Sequence, residues 1–328
     1  MKLAFVLDPL EHLKAYKDSS VAMMREAQRR GHELSAIMRE SLVWRDGEIG
    51  ATATRLTVSE DHAEWFEAGE NVEGSLRGFD AVLMRQDPPF DFEYVAATWL
   101  LERAESCGAC VFNRPRAIRD HSEKLAITEF GEFTVPTLVA RENDTLQRFV
   151  DEAEDAVLKP LDGMGGSSVF RVRRDDPNRN VIVETLTNHG RRTIMAQRFI
   201  PEIVQGDKRI LLIGGRVVPY ALARIPKPGE LRGNLAAGGT GVARPLTERD
   251  REIAETLAPV LHARGLLLVG LDVIGDWLTE INVTSPTCFV EITQQTGFNV
   301  AAMFLDALER ECQLDRDHHE KDARFFSK

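Results

Sequence analysis

A strand that runs into a glycine-rich turn is the segment of this sequence with the clearest chemical character. The string KPLDGMGGSS, residues 159–168, follows apolar residues 156–158. Glycines let backbone N–H groups approach a phosphate closely, and Lys159 adds a positive charge. The string lacks the Gly-Lys-Ser/Thr of a Walker loop and the following helix of a dinucleotide fingerprint. It therefore predicts either a nucleotide phosphate site or an ordinary hairpin turn.

Two neighbouring strands near the C-terminal end carry three oxygen-bearing side chains. Glu280 and Asn282 are two residues apart and leave one face of a strand, and Asp272 lies on the preceding strand. Such ligands suit Mg²⁺, which keeps waters and phosphates in its other positions. A three-residue turn, Gly275–Trp277, would pair Asp272 with Glu280, whereas a two-residue turn would pair it with Thr279. Because no Lys or Arg is close in sequence, the cluster predicts a cation site, with a solvated strand face as the alternative.

A set of cationic residues stands out in a chain whose net charge is −11. A ligand with several negative charges would need them, whereas single members could instead form surface salt bridges. Arg224 ends an apolar strand and is the least incidental member. The set is Lys124, Lys208, Arg209, Arg224 and Arg232.

The segment Ile225–Gly241 is rich in Gly and Pro and contains Asn234. A connection of this length without regular structure is typically functional, and we expect a lid that closes over the reactants.

Cys107 and Cys110 have no second pair to complete a zinc site and follow a helix rather than begin one, so a redox or zinc role is rejected. With the histidines scattered, we expect no protein nucleophile.

The N-terminal third predicts two β-α-β units, which imply parallel strands. Leu3–Leu7 is an apolar strand, a helix capped at Asp18 runs to Arg30, and Glu33–Met38 is a second strand. After an irregular stretch, a strand at 79–84, a helix at 93–106 and a strand at 109–112 repeat the pattern.

The remainder of the chain predicts short, mostly antiparallel strands. A short helix is expected at 122–130, a helix from Thr247 to Arg264 stopped by Gly265, a last helix at 300–311, and a charged, frayed tail after it. The predicted strands are 156–159, 168–172, 193–197, 210–213, 217–223, 266–274 and 278–283.

Composition excludes several classes of protein. The chain has 328 residues, 43% hydrophobic and 28% charged, which indicates a globular protein of about two domains. An excess of 52 Asp and Glu over 41 Lys and Arg argues against a nucleic-acid surface. No apolar run approaches the roughly 20 residues of a membrane span, and the run before Asp8 is too short for a signal peptide. Four cysteines form no disulfide framework, and we expect a soluble, cytoplasmic protein without membrane or nucleic-acid partners.

The Gly-rich string together with Asp272 and Glu280-Ile-Asn282 resembles the ATP-grasp carboxylate–amine ligases. Further strings resemble one branch of them, the bacterial glutathione synthetases, from Leu3 to about Glu311. These strings are DSS at 18–20, MR and DPPFD within 84–91, LKPLDGMGG at 158–166, RGNLAAGG at 232–239 and LTEINVTSPTC at 278–288.

The resemblance implies an α/β and α+β architecture, with an ATP-grasp fold preceded by a small parallel α/β domain. Residues 1–122 would form the substrate domain and 123–311 the ATP-grasp domain, leaving a tail at 312–328. Within the ATP-grasp domain, a lid subdomain would cover about 123–200, the central sheet and metal site about 201–311, and a mobile loop 226–240. A homo-oligomer is also implied.

The family's reaction would be the ATP-dependent joining of γ-glutamylcysteine to glycine through an acyl phosphate, giving glutathione, ADP and phosphate. Activation by ATP would explain the missing protein nucleophile. Carried over residue by residue, the roles fall into four groups. The nucleotide would be bound by Lys124, Lys159, Gly163, Met164, Gly165, Gly166, Ser167, Gln197, Arg198, Phe199, Ile200 and Asp207. Mg²⁺ or Mn²⁺ would be bound by Asp272, Glu280 and Asn282. The acyl phosphate or the substrate carboxylates would be held by Arg209, Arg224, Arg232 and Asn234, and the substrates would be bound by Asp18, Ser19, Arg85, Asp87, Ser285 and Thr287.

Two other functions stay open from the sequence. Another ATP-grasp ligase would share the ATP and metal residues and differ at Asp18, Arg85, Arg232 and Ser285. A regulatory ATP-binding protein would have no need of the metal set. The chain departs from the family strings at Gln86, where the family has Lys, and at Thr240 and Val290, where it has Arg.

Overall fold

Three β-sheets follow one another along the chain in the computed structural model. The structure describes residues 1–163, 165–230, 233, 235 and 238–326, with side chains through residue 314. One cavity is lined by residues of the second and third sheets and of the connections that follow β1 and β6 in the first layer.

The first sheet is built around a strand that is buried on both faces. In β1 (Lys2–Leu7), Leu3 and Phe5 pack in one core with helix α1 (Ser19–Arg29), while Ala4 and Val6 pack in another with α2 (Phe92–Ser106). Successive strand residues point to opposite faces, so the continuous apolar run follows from helices on both sides. The strand order is β3-β4-β2-β1-β6-β7, with β5 paired to β4, for β2 (Glu33–Met38), β3 (Val43–Arg45), β4 (Glu48–Val58), β5 (Phe66–Ser75), β6 (Ala81–Met84) and β7 (Val111–Phe112).

Both predicted β-α-β units are present, with β1 parallel to β2 and β6 parallel to β7, and β1 and β6 are themselves parallel neighbours. The stretch between them was predicted to be irregular, and this was wrong, because it forms the long antiparallel hairpin β4–β5. β5 is exposed along almost its whole length and β4 buries small residues such as Ala51 and Ala53. β5 has no apolar pattern, and the alternation in β4 consists partly of small residues and is interrupted by a register shift after Thr54, so periodicity did not reveal the hairpin. A short helix, α3 (Pro115–Asp120), leads out of this layer.

The second sheet is antiparallel and has the order β10-β9-β11-β8. Two helices cover it, and Leu146 of one helix and Val183 of the other lie in its core. The elements are β8 (Thr137–Ala140), α4 (Asn143–Ala153), β9 (Asp155–Pro160), β10 (Phe170–Arg173), α5 (Arg179–Leu186) and β11 (Ile194–Arg198).

The third sheet is also antiparallel, with the order β14-β13-β12-β15-β16. Its core includes Ile253 and Leu257 from α6 (Glu248–Ala263), a helix that begins at a capping box between Thr247 and Asp250. The other elements are β12 (Asp207–Ile213), β13 (Arg216–Ile225), β14 (Thr240–Pro245), β15 (Leu268–Ile274), β16 (Trp277–Asn282), α7 (Phe289–Thr296) and α8 (Val300–Phe326).

Two helix predictions need correction. The helix expected at 122–130 is a 3₁₀ segment, Leu125–Phe133, with a non-helical residue at Phe130. The backbone of α8 continues through Phe326, where a frayed tail was expected after Glu311. Its last turns are rich in charged residues that form helices readily, so polarity alone did not indicate a helix end. The assignment of residues to domains stays a prediction.

Candidate active site

A cavity of about 500 Å³ lies where the three sheets meet. The first layer contributes Asp18 and Asp87, the second sheet Lys159 and the Gly-rich turn, and the third sheet the strands that carry the acidic residues. Residues near the start of α1 and the start of α7 also line the cavity.

Two lysines lie against one carboxylate in the wall of this cavity. The Nζ atoms of Lys124 and Lys159 are 3.2 and 3.8 Å from Oε1 of Glu280. Both lysines are buried, and Lys124 also donates to the Gly163 carbonyl at 2.6 Å. Burial lowers the pKa of Lys159, and the charge of Glu280 opposes that shift. Two buried cations sharing one carboxylate suit an additional anionic ligand.

The Gly-rich turn joins β9 to β10 and faces the same cavity. Gly165 and Gly166 have φ values of +62° and +76°, in the region that glycine tolerates best. A Cβ atom on Gly163 would lie 2.9 Å from Cγ of Pro160, so the turn is closely packed at its start. Ser167 also lines the cavity, whereas Met164 lies outside the described residues.

The end of β11 forms the neighbouring wall. The Gln197 side chain donates to Oγ1 of Thr137 at 3.1 Å, and the Phe199 N–H donates to the Asp155 carbonyl at 2.9 Å. The Arg171 guanidinium lies 3.6 Å above the centre of the Phe199 ring. Arg198 and Ile200, which were also predicted to bind the nucleotide, line the cavity as well.

A buried network of two arginines and two aspartates crosses the third sheet. Strand register places Arg209 opposite Asp272 and Asp207 opposite Arg224. Nε of Arg209 donates to Oδ1 of Asp272 at 2.6 Å, and Nη2 of Arg224 lies 2.9 Å from Oδ2 of Asp272 and 2.5 Å from Oδ2 of Asp207. All four side chains are largely shielded from solvent.

The two aspartates respond to this network in opposite directions. Burial opposes the charge on Asp272, but the guanidinium groups of Arg209 and Arg224 outweigh it and hold its pKa below the usual range. At Asp207 burial outweighs the charge of Arg224 and raises the pKa to about 7. Oδ1 of Asp207 is buried, and no hydrogen-bond partner for it occurs among the described residues. The absence of Lys and Arg near Asp272 in sequence was therefore misleading, because strand pairing supplies both arginines.

The predicted metal residues come together, but by a different turn. Asp272 pairs with Glu280 and Gly270 with Asn282, which places the set on one face. Of the two turns considered, the structure has the two-residue one, because Ile274 pairs with Trp277. Asp272 nevertheless pairs with Glu280 rather than Thr279, since the strand register shifts by one residue after Asp272. Nδ2 of Asn282 donates to the Gly270 carbonyl at 3.2 Å, so Oδ1 is the amide atom that can meet a cation.

The donor chemistry of this set fits a hard cation. No group of three His, Cys, Asp or Glu side chains in the described part of the chain could hold a metal. The set instead combines two carboxylates with one amide, all of which line the cavity. Each carboxylate oxygen has two lone pairs, so hydrogen bonds from arginine or lysine do not exhaust it.

The predicted substrate residues gather at the junction between the first layer and the loop before α7. Oδ1 of Asp18 accepts from the N–H groups of Ser20 and Val21 and caps α1, while Oγ of Ser19 accepts from the Phe289 N–H at 3.2 Å. Arg85 is buried and donates to Oγ of Ser20 at 3.1 Å and to the Pro286 carbonyl at 2.9 Å.

Asp87, Ser285 and Thr287 line the cavity itself. Burial raises the pKa of Asp87, and a hydrogen bond with Ser285 opposes the shift. Lys208 of the predicted cationic set instead pairs with Asp250 of α6. Arg232 and Asn234 lie outside the described residues, although Gly233 and Leu235 of the same segment line the cavity.

Sequence reasoning missed several cavity residues. Oε1 of Glu123 accepts from Oγ1 of Thr284 at 2.9 Å and from the Val283 N–H at 3.1 Å, which ties the end of β16 to the segment that carries Lys124. Glu291 and Lys17 also line the cavity. Glu123 and its partners are about 160 residues apart, so no local pattern signals the contact.

Solved structures with the same fold define the class of protein. D-cycloserine synthetase matches with a TM-score of 0.66 at 17% identity, covering 95% of this chain and 100% of its own. A RimK-domain ATP-grasp protein from Sphaerobacter thermophilus matches with a TM-score of 0.61 at 18% identity, covering 94% of this chain and 99% of its own. The fold is therefore ATP-grasp.

Sequence comparison identifies the particular family. Residues 1–119 match the N-terminal domain of prokaryotic glutathione synthetase and residues 123–297 its ATP-grasp domain. The glutathione synthetase of Nitrosomonas europaea is 62% identical over 314 residues, covering 94% of this chain and 98% of the relative. The glutathione synthetase of Ralstonia nicotianae is 60% identical over 310 residues, covering 94% of this chain and 96% of the relative. The chain belongs to the prokaryotic glutathione synthetase family, and it is an ATP-dependent ligase with ATP and Mg²⁺ as its cofactors. None of the helices described in the structure is both long and apolar enough to cross a bilayer.

Proposed function

We propose that this ligase joins the cysteine carboxylate of γ-glutamylcysteine to the amine of glycine, with conversion of ATP to ADP and phosphate. The observation that carries the proposal is the convergence of Lys124, Lys159, Arg209 and Arg224 on the carboxylates of Glu280 and Asp272 in one cavity. Such an arrangement neutralises the charge of a phosphoryl group in transfer and needs no protein nucleophile.

In this proposal the second sheet holds the nucleotide. Lys124, Lys159 and the turn Gly163–Ser167, including Met164, face the phosphates. Gln197–Ile200 border the adenine, and Asp207 faces the ribose. The ribose placement is supported by the buried Oδ1 of Asp207, which can accept a hydrogen bond from a hydroxyl group. The phosphate placement is supported by the backbone N–H groups of a turn with positive φ values.

Asp272, Glu280 and Asn282 are proposed to hold Mg²⁺, which polarises phosphoryl oxygens when bound. Glu280 and the amide oxygen of Asn282 present oxygens that are compatible with this role. Asp272 contributes less, because Arg209 and Arg224 already contact both of its oxygens. Its lower pKa keeps it ionised throughout the physiological pH range.

Arg209, Arg224, Arg232 and Asn234 are proposed to hold the reacting carboxylate and the acyl phosphate. The described pair, Arg209 and Arg224, is held rigidly by Asp272 and Asp207, so its donors need little reorganisation during the reaction. The lid segment 226–240 would exclude water from the acyl phosphate, which water would otherwise hydrolyse.

The dipeptide and glycine are proposed to bind where the first layer meets the loop before α7. Asp18, Asp87, Ser285 and Thr287 face this part of the cavity. Ser19 and Arg85 are proposed to position other groups of the site. Ser19 accepts a hydrogen bond from the Phe289 N–H at the start of α7, and Arg85 donates to the Pro286 carbonyl.

The proposal retains the cytoplasmic location expected from the composition and the homo-oligomeric assembly that the resemblance implies. It also retains division into residues 1–122, 123–311 and 312–328, with subdomains meeting near residue 200. Limited proteolysis and light scattering would test the division and the assembly separately from the activity.

The test is phosphate release from ATP and Mg²⁺ with γ-glutamylcysteine and glycine, omitting one component at a time, with the product identified by mass. We expect release only when all components are present, together with stoichiometric glutathione. Release with other acid–amine pairs only would assign a different ATP-grasp ligase activity. ATP binding without release under any condition would support the regulatory alternative.

A further inference from the structure

Glu291 carries a buried carboxylate oxygen that the mechanism above does not use. The residue lies in the first turn of α7 and lines the cavity. Its Oε2 atom is buried and has no hydrogen-bond partner within the described part of the chain. A buried carboxylate oxygen without a partner is costly. A bound group that donates hydrogen bonds would remove that cost.

The charges that face Glu291 are of both signs. Lys17 and Asp18 precede α1 and line the same cavity. Burial raises the pKa of Glu291, whereas its own backbone N–H and Lys17 lower it and Asp18 raises it, which places these charges within electrostatic reach. One oxygen of Asp18 is occupied in capping α1. A free carboxylate and a nearby lysine together are complementary to a zwitterion.

The proposed reaction fixes which end of the dipeptide reaches this place. The carboxylate to be activated must lie at Arg209 and Arg224, next to the phosphate site. Cys288 is the N-cap residue of α7 and lines the cavity together with Arg209 and Arg224, and Glu291 follows it in the first turn of the helix. With the activated carboxylate at the two arginines, the γ-glutamyl head would extend past Cys288 towards Glu291. That head carries an α-ammonium and an α-carboxylate group.

We propose that Glu291 binds the α-ammonium group of the γ-glutamyl head and that Lys17 binds its α-carboxylate. The inference rests on the proposed function and names the residues that select the dipeptide by its zwitterionic end. Lys17 is half-buried, with its Nζ 5.8 Å from the centre of the Tyr16 ring.

A purely structural role for Glu291 makes a different prediction. An acidic residue in the first turn of a helix stabilises the helix N-terminus. Loss of that effect would impair all substrates alike. Substrate analogues that lack one charged group distinguish the two roles, because a binding role affects only substrates that carry the matching group.

The experiment compares γ-glutamylcysteine with glutarylcysteine, which lacks the ammonium group, and 4-aminobutyrylcysteine, which lacks the α-carboxylate. Glu291→Gln should lower kcat/KM about tenfold to a hundredfold for the two substrates with an ammonium group, mainly through KM, and leave glutarylcysteine unchanged. Lys17→Met should lower kcat/KM similarly for the two substrates with an α-carboxylate and leave 4-aminobutyrylcysteine unchanged. Glu93→Gln, in the exposed first turn of α2, is the control and should change none of them.

Equal losses on all three substrates, or no loss on any, would overturn the proposal. Failure of the wild-type protein to use γ-glutamylcysteine at all would instead refute the proposed function. The two failures are therefore distinguishable within one set of assays.

Discussion

Glu280 is the carboxylate on which both buried lysines of the cavity converge. Its side chain is 23% exposed, more than those of Lys124 and Lys159 at 6% and 8%. It can therefore reach a ligand that enters the cavity while it holds the lysines in place. Both lysine Nζ atoms lie within 4 Å of Oε1 of Glu280, so this carboxylate would hold a cation next to the two lysines.

Replacement of this carboxylate by an amide tests its proposed role. We expect Glu280→Gln to reduce turnover at least about 100-fold, because a neutral amide binds Mg²⁺ weakly at the transferring phosphate. Thermal unfolding should stay cooperative, since the amide oxygen can still accept from Lys124. Phosphate release and circular dichroism measure the two effects. Glu248→Gln in the first turn of α6 is the matched control, and near-normal turnover in Glu280→Gln would exclude the metal assignment.

At this scale, sequence reasoning found residues that share a strand and missed those joined by folding. The spacing of Glu280 and Asn282 was sufficient to place them on one face. The contacts of Asp272 with Arg209 and Arg224 depend on the register of three strands, and the residues are more than 45 positions apart. Neither turn considered from the sequence gave the observed combination of turn and pairing, because the register shift after Asp272 has no signature in the residue types.

At the scale of elements, helix α1 is held to α8 by a cluster of charges. Glu26 is 5% exposed, and its carboxylate accepts from Arg29 at 2.7 Å and from Arg30 at 2.8 Å. Arg30 in turn pairs with Asp306 and Glu309 of α8. The cluster therefore ties the C-terminal helix to the first layer.

The cluster should make the free energy of unfolding depend on pH in the acid range. Burial tends to raise the pKa of Glu26, but hydrogen bonds from Arg29 and Arg30 outweigh it and lower the pKa below 4.5. A lowered native pKa stabilises the fold above the unfolded pKa, and this stabilisation is lost as pH falls through the native pKa. Glu26→Gln should cost about 1–2 kcal/mol in the free energy of unfolding at pH 7, and less near pH 3. Urea denaturation at both pH values measures this.

The exposed Glu40 supplies the control for that comparison. Glu40→Gln should change the free energy of unfolding by less than about 0.5 kcal/mol at either pH, since its pairing with Arg39 is at the surface. A cost for Glu26→Gln that is the same at pH 3 and pH 7 would contradict the ionic account and indicate a packing effect.

Gly233, between β13 and β14, closely approaches the arginine network. A Cβ atom on Gly233 would lie 2.2 Å from the Arg224 carbonyl oxygen and 3.4 Å from Cβ of Asp207. Gly233→Ala would force the segment away from the cavity. We expect turnover to fall about tenfold or more, because closure over the acyl phosphate is impaired, with little change in melting temperature.

Gly131→Ala is the matched control, since no described atom lies within 4 Å of its added Cβ. A large fall in melting temperature for Gly233→Ala would instead make the segment part of the structural core. Normal turnover would show that the close approach to Arg224 is not required for catalysis.

Elements with strong apolar periodicity were predicted well, and the hairpin β4–β5 was not. β1 and α1 have cores on defined faces, whereas β5 exposes nearly all its side chains and is stabilised by pairing with β4. Backbone pairing leaves little trace in composition, so such strands become visible only in the folded chain.

At the scale of the whole molecule, one cavity is lined by the residues that we propose to bind the ATP phosphates, the metal and the acid. The parallel layer supplies the N-terminus of α1, and the two antiparallel sheets supply the lysines and the arginine network. The order of these layers could be expected from the family resemblance. Their junction could not, because it depends on long-range contacts such as those of Asn113, whose amide nitrogen donates to the Leu268 and Val283 carbonyls.

The central claim is that the dipeptide carboxylate receives the γ-phosphoryl group of ATP before glycine attacks. The most direct test uses γ-glutamylcysteine labelled with ¹⁸O in its cysteine carboxylate, and analyses the released phosphate by mass spectrometry. Attack by glycine on an acyl phosphate breaks the bond between the carbonyl carbon and the bridging oxygen, so one ¹⁸O should appear in each phosphate. Phosphate without ¹⁸O, formed together with glutathione, would contradict the account.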